Sequence, residues 1–224
     1  MNTAPQPPAA SPRRVLRAPS LGVIGGVLLF FGASSFGDTP DTRDSTTQVA
    51  DYFTTNRTSV FLGCVLFALG LLALLAVGAR VASMIDAGGE PSIGRFVQST
   101  ATVAATLMLV TIVLIDASLS YVIGREALDM AKGLFELTLV ATPIISLVLA
   151  GLVGGTALGM VRTGIGRRWF AILSGALAVV LVVGGVSFAH SGPFSPDVQQ
   201  QVMLLALVVW LLLSGRGTRE RAPV

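Results

Sequence analysis

Charge is what this sequence has least of. Only 12% of its 224 residues are Asp, Glu, Lys or Arg, about half the roughly 25% of a soluble domain. With 53% hydrophobic residues and a mean hydropathy of +0.78, a water-soluble fold of this size could not hide the apolar surface. Cysteine and histidine each occur once, as Cys64 and His190. One cysteine excludes an intrachain disulfide, and the pair cannot furnish a zinc site of Cys and His ligands. Cys64 lies in an apolar run and reads as a small packing residue. No Walker, Rossmann or HExxH motif occurs, nor a Gly-x-Ser-x-Gly elbow. A Ser–His pair would have to use His190, for which no carboxylate partner is evident. These absences argue against an enzyme and against any cofactor.

What is present is a series of long apolar runs. In a bilayer each backbone polar group must be satisfied internally, so the spans are helices or a closed barrel. A barrel needs apolar and polar residues to alternate, and Leu66 to Val77 does not alternate. The expected fold class is therefore all-α, a polytopic transmembrane bundle. Six spans are expected, at about 20–36, 59–79, 96–118, 137–161, 169–189 and 197–214, within a transmembrane domain over 19–215. Residues 1–18, rich in Pro and Ala, read as a disordered cytoplasmic tail, and 216–224 as a second cytoplasmic tail. Arg13-Arg14 loosely resembles a twin-arginine signal, and Leu21 to Phe31 could serve as the core of a cleaved signal peptide. An uncleaved first span with basic anchors is the simpler reading.

The net charge of +3 does not point to nucleic acid, because the arginines sit at the ends of apolar runs. Arg13, Arg14, Arg17, Arg80, Arg95, Arg162, Arg167, Arg168, Arg216, Arg219 and Arg221 fall on one predicted side. Arg43, Arg57, Arg125 and Lys132 fall on the other. That asymmetry places both termini in the cytoplasm. Trp169 and Trp210 would then lie at the inner interface, and Tyr52 and Tyr121 at the outer one. In the outer loop, Ser45 and Gln48 fit a capping box. Val49, Tyr52 and Phe53 follow at helical spacing, predicting a short amphipathic helix near the outer interface.

The stretch from Glu136 to Trp169 carries the densest information. Its charge-free run, Leu137 to Val161, would extend about 37 Å as a helix, longer than a ~30 Å bilayer core. Pro143 cannot donate to the carbonyl of Leu139 and predicts a kink. Gly151, Gly155 and Gly159 fall on one face at a spacing that lets helix backbones approach closely, within this chain or in a second copy. Arg162, Arg167, Arg168 and Trp169 are candidate anchors to inner-leaflet lipid.

Asp116 and Glu136 are the candidate chemistry. Each is a carboxylate near the outer edge of a span, and ionisable groups in a span are functional candidates by default. Together they could carry protons or bind a cation, with His190 at the same level as a third member. The opposing reading is that both are solvated at the interface, Glu136 favoured there by a helix N-terminus.

The layout resembles a family of uncharacterised six-helix integral membrane proteins common in actinobacteria. The resemblance rests on the glycine-rich first span, the outer loop with Val49, Tyr52, Phe53 and Arg57, the long fourth span ending in Arg162-Thr163-Gly164, and Arg168-Trp169 opening the fifth. It departs from the family at Gly166-Arg167-Arg168-Trp169, where a Pro often precedes Arg-Trp. The resemblance implies the six-span fold and no activity. The leading expectation is a multi-pass protein of a bacterial plasma membrane, non-enzymatic, an accessory or interaction protein. Its partners would be membrane lipids, a second copy or other membrane proteins, and not nucleic acid. The alternative is a small proton- or cation-coupled transporter or channel subunit using Asp116 and Glu136. A membrane-embedded enzyme acting on lipid comes last.

Overall fold

The computed structural model describes residues 19–40, 44–122, 128–187 and 196–218. The predicted N-terminal tail, His190, Arg125 and all of the C-terminal tail past Thr218 lie outside the described residues. Of the described residues 91% are helical and none forms a strand. The helices are α1 (Pro19–Ser35), α2 (Thr46–Thr55), α3 (Arg57–Ala87), α4 (Pro91–Met108), α5 (Asp116–Val122), α6 (Leu128–Thr163), α7 (Arg168–Ser187) and α8 (Pro196–Gly217). A π-helical segment, Leu109–Ile115, joins α4 to α5 without a break.

Among the described residues, five helical stretches are long and apolar enough to cross a membrane: Arg57–Ala87, Pro91–Ser120, Lys132–Thr163, Arg168–Val186 and Gln199–Gly217. The chain is thus a multi-pass membrane protein by its helices. The apolar stretch of α1, Leu21–Ser35, is shorter; its 15 residues extend about 22 Å, less than a ~30 Å core.

The long helices close a ring in space. Neighbours around it are α1, α3, α4, α6, α7 and α8, and α8 returns to α1. Glycine lets the short α1 sit deeply between two longer partners. A Cβ on Gly32 would come within 2.9 Å of the Phe67 nitrogen of α3, so only glycine permits that backbone approach. Phe67, Leu74, Ile85, Met108, Ile145, Leu149, Leu152 and Trp210 fill the centre. Leu62, Leu72, Val161, Ile172 and Leu205 point outward, as residues facing lipid would. Among the described residues α6 touches every helix except α1.

That position explains the glycine spacing. Gly151 and Gly155 lie beneath Phe96 of α4, and Gly159 lies beneath Ile85 of α3. Gly154, one residue off the line, meets Ala178 of α7. The close approaches at these glycines are to helices of the same chain. α6 begins nine residues before the predicted start and runs as helix through Pro143.

The α2 helix is capped as the sequence suggests. Ser45 Oγ accepts from the Gln48 N–H, and the Ser45 N–H donates to Gln48 Oε1 at 2.7 Å. Its apolar face is covered by protein: Val49, Ala50 and Phe53 are buried, and Phe53 meets Phe135 of α6 edge to face at 5.9 Å.

One aromatic assignment is corrected. Trp210 is no interfacial residue: it is 0% exposed, its Nε1 donates to Ser174 Oγ at 3.2 Å, and it stacks on Phe170 of α7. An indole carries large apolar area and one donor, and the α7–α8 contact satisfies both. Trp169, at 40% exposure, does face outward.

Candidate functional site

At the end of the ring where α1 finishes and α6 starts, a recess of about 140 Å³ opens among α1, α5, α6 and α8. Asp116 lines it. Facing Asp116 are Thr138 and Leu139 of α6, Gln200 and Gln201 of α8, and Gly37 and Thr39 of the segment following α1. Phe36 and Phe135 form apolar wall. No Lys or Arg lines the recess among the described residues.

Asp116 reaches this position through the π-helical segment. A π turn bonds i to i+5 and inserts an extra residue into the helix, and such turns are frequent at functional sites. Here seven residues, Leu109–Ile115, lead directly into Asp116. Cys64 of α3 supports the irregular segment: its Sγ–H donates to the Ile112 carbonyl, with 3.9 Å between sulfur and oxygen.

Asp116 is half-buried as a residue, yet its Oδ1 is fully enclosed and has no hydrogen-bond partner among the described residues. A polar atom in that state costs roughly 1–3 kcal/mol, more if charged. The arrangement is therefore one that a proton or a cation would relieve. Thr138 Oγ1 donates to the Phe135 carbonyl at 2.7 Å. Its hydrogen is committed, so the oxygen can offer only lone pairs. Leu139, on the same wall, carries the carbonyl that Pro143 leaves without its helical donor.

Thr138 begins a buried polar row. Thr138, Thr142 and Ser146 are spaced four apart on α6 and all are buried, so they share a face. Thr142 Oγ1 donates to the Thr138 carbonyl at 3.2 Å, whereas Ser146 Oγ has no partner among the described residues. On α8, Gln199 is buried with Nε2 lacking a partner among the described residues. The signals for these residues were in the sequence, as a four-residue hydroxyl spacing and as three consecutive glutamines at the start of an apolar run.

Tyr52 connects the recess to α2. Its Oη donates to the Phe36 carbonyl at 2.6 Å, tying α2 to the end of α1. Burial, and next the charge of Asp116, push the phenol above its ordinary pKa.

The other candidates fall elsewhere. Glu136 is not in the recess wall: it lies 3.7 Å from Lys132 one turn back on α6, on a partly exposed face. Its neighbours Phe135 and Thr138 do line the recess, and helical geometry turns position 136 away from that side. Arg162 lies 3.9 Å from Glu90, which links the end of α6 to the start of α4. Arg167 and Arg168 are exposed at the same end, where the Arg167 N–H donates to the Gly217 carbonyl at 2.9 Å. Among the described residues there is no group of three His, Cys, Asp or Glu able to hold a metal.

No protein-family model, curated protein or solved structure matches the chain. Asp116 therefore stands on its own geometry: a carboxylate inside a span, half-enclosed, without a charged partner among the described residues, in a recess lined by neutral oxygen- and amide-bearing residues.

Proposed function

We propose that this chain is a six-span protein of a bacterial plasma membrane that takes up a proton or a small cation at Asp116, as a non-enzymatic transporter or channel subunit. The observation that carries the reading is the enclosed, unpartnered Asp116 Oδ1 beside a polar recess. A structural carboxylate at a span end is commonly paired with Lys or Arg, and no Lys or Arg lines this recess among the described residues. Glu136 has no part in this proposal, because Lys132 supplies its counter-charge.

The sixth crossing is α1, packed between α3 and α8. It can be completed by local thinning of the bilayer or by flanking residues. Arg80, Arg95, Arg162, Arg167, Arg168 and Arg216 lie toward one end of the ring, which supports a cytoplasmic assignment for that end. With Cys64→Ala as background, single cysteines at Asp38 and Arg167, both exposed, test the threading. A membrane-impermeant maleimide added to whole cells should label position 38 alone. Labelling of 167 alone reverses the orientation.

The test of function is a flux measurement in reconstituted vesicles carrying a pH-sensitive dye. With an imposed potassium diffusion potential, vesicles holding the native chain should dissipate the gradient at least tenfold faster than those holding Asp116→Asn. Equal rates refute transport through Asp116.

A second reading, an accessory protein that binds another membrane protein or a second copy, is supported by an uncovered apolar groove. It lies between α4 and α6, where Ile93, Phe96, Gly151, Gly155 and Leu158 form the lining. Phe96 and Leu158 are each about half exposed there. Crosslinking in membranes that captures no reproducible partner and no dimer would remove it.

A further inference from the structure

We infer that the Asp116 recess is a binding site for a single monovalent inorganic cation, held by the Asp116 carboxylate and by neutral oxygens of Thr138, Gln200 or Gln201 and the Leu139 backbone. The inference rests on the proposed role of Asp116 and narrows it from proton or cation to a metal ion of sodium or potassium type.

Three observations lead there. The first is charge. One carboxylate lines the recess, with no second Asp or Glu and no Lys or Arg among the described lining residues. Calcium recruits several carboxylates among six to eight oxygens, and magnesium demands a near-ideal octahedron. One negative charge neutralises one monovalent ion. The second is ligand type. Thr138 has its hydrogen engaged by the Phe135 carbonyl, which leaves its oxygen as an acceptor only. Amide oxygens of Gln200 and Gln201 can turn toward a cation, since Asn and Gln carbonyls are ordinary hard ligands. Leu139 also lines the recess, and Pro143 cannot donate an N–H to its carbonyl. A site meant only for a proton needs none of these oxygens. The third is size. The recess holds about 140 Å³, well under the roughly 300–1,000 Å³ of sites that take drug-sized molecules. An ion with a few waters fits, and a bulky organic cation does not.

The test uses the full-length protein in lipid nanodiscs. Thermal unfolding is measured in NaCl, KCl and N-methylglucamine chloride at equal ionic strength, alongside equilibrium binding of radioactive sodium. The native chain should gain about 5–10 °C at a hundredfold excess of the bound ion over its Kd, with saturation, and should gain nothing from N-methylglucamine. Asp116→Asn should abolish both the gain and the sodium binding. Thr138→Val, which keeps shape and removes the oxygen, should weaken binding about tenfold, and Thr138→Ser should restore it. If Asp116→Asn does not fold, the Thr138 pair and the native salt series decide the question alone. Identical unfolding in all three salts, or sodium binding unchanged in Thr138→Val, overturns the inference. Proton flux that depends on Asp116 together with identical unfolding in the three salts leaves the functional reading standing and removes the metal ion. Absence of both removes both.

Discussion

Replacing Phe53 by Ala should release α2 from the bundle while leaving the spans in place. A helix of ten residues is too short to hold itself in water, so α2 persists only through its cap and its docked face. Phe53 is 1% exposed and packs on Phe135. Truncating a buried phenylalanine costs about 3–5 kcal/mol, whereas losing the Ser45 cap costs about 1 kcal/mol. Because α2 opens locally, these energies translate into amide hydrogen exchange rather than global unfolding. Three kcal/mol corresponds to more than a hundredfold faster exchange, and one kcal/mol to about fivefold. Exchange followed by mass spectrometry should therefore show α2 peptides accelerated over a hundredfold in Phe53→Ala and roughly fivefold in Ser45→Ala. Asp51→Ala, on the exposed face, should change nothing measurable. Exchange within α3 and α6 should stay at the native rate. Less than tenfold acceleration of α2 in Phe53→Ala, or equal acceleration of α3, would show that α2 is not held by this face.

Three further outcomes follow from individual contacts. The Tyr52 phenol is raised above its ordinary value of 10.0 by burial and by the Asp116 charge, so its contribution to α2 docking is fully present below about pH 10 and is lost as the pH climbs through the higher folded value. A tyrosinate absorbance titration in a Tyr121→Phe background should show Tyr52 ionising above pH 10; ionisation at the free-phenol value would contradict the burial. Trp169 should be quenched by brominated lipid and Trp210 should not, measured in Trp210→Phe and Trp169→Phe respectively; equal quenching would put Trp210 back at the interface. A Cβ at Gly159 would fall within 3.0 Å of three Ile85 carbons, so Gly159→Ala should cost about 1–3 kcal/mol by overpacking and should be partly rescued by Ile85→Val. Gly184→Ala, with no atom near its Cβ, should be neutral or mildly stabilising; a loss at Gly184 equal to that at Gly159 would refute the packing argument.

The parts of the fold that depend on local chemistry were legible. Charge-free runs mark the long helices, and the Ser45–Gln48 pair marks the start of α2, because each feature acts within a turn or a single span. Asp116 stood out for the same reason, since a carboxylate in an apolar run needs an explanation wherever it lands. What surrounds Asp116 was not legible. Thr138, Gln200 and Gln201 lie on α6 and α8, distant in sequence, and only the closure of the ring brings them together. The pairing of Asp116 with Glu136 was expected from closeness along the chain. Yet a helix face is set by 100° steps, and position 136 belongs to the side of Lys132. Trp210 misled for a related reason: an indole near a span end reads as interfacial until a neighbour such as Ser174 is found to accept its N–H.

α6 carries two unlike chemistries, and they are sorted along its length. Its hydroxyl-bearing half, Thr138 to Ser146, faces the interior near the Asp116 recess. Its glycine half, Gly151 to Gly159, is pressed against α3 and α4. From Thr138 to Gly155 the helix climbs about 25 Å, well past the separation at which substitutions cease to couple. The glycine half fixes the helix against its neighbours at the arginine-rich end. The polar half retains Ser146 Oγ and, across the recess, Asp116 Oδ1 without hydrogen-bond partners among the described residues. A helix held firmly at one end can tolerate unsatisfied groups at the other, where a bound cation would satisfy them. On this view Pro143 belongs to the site as much as to the fold. It sits within the polar half and interrupts the hydrogen-bond ladder at Leu139, a residue that lines the recess.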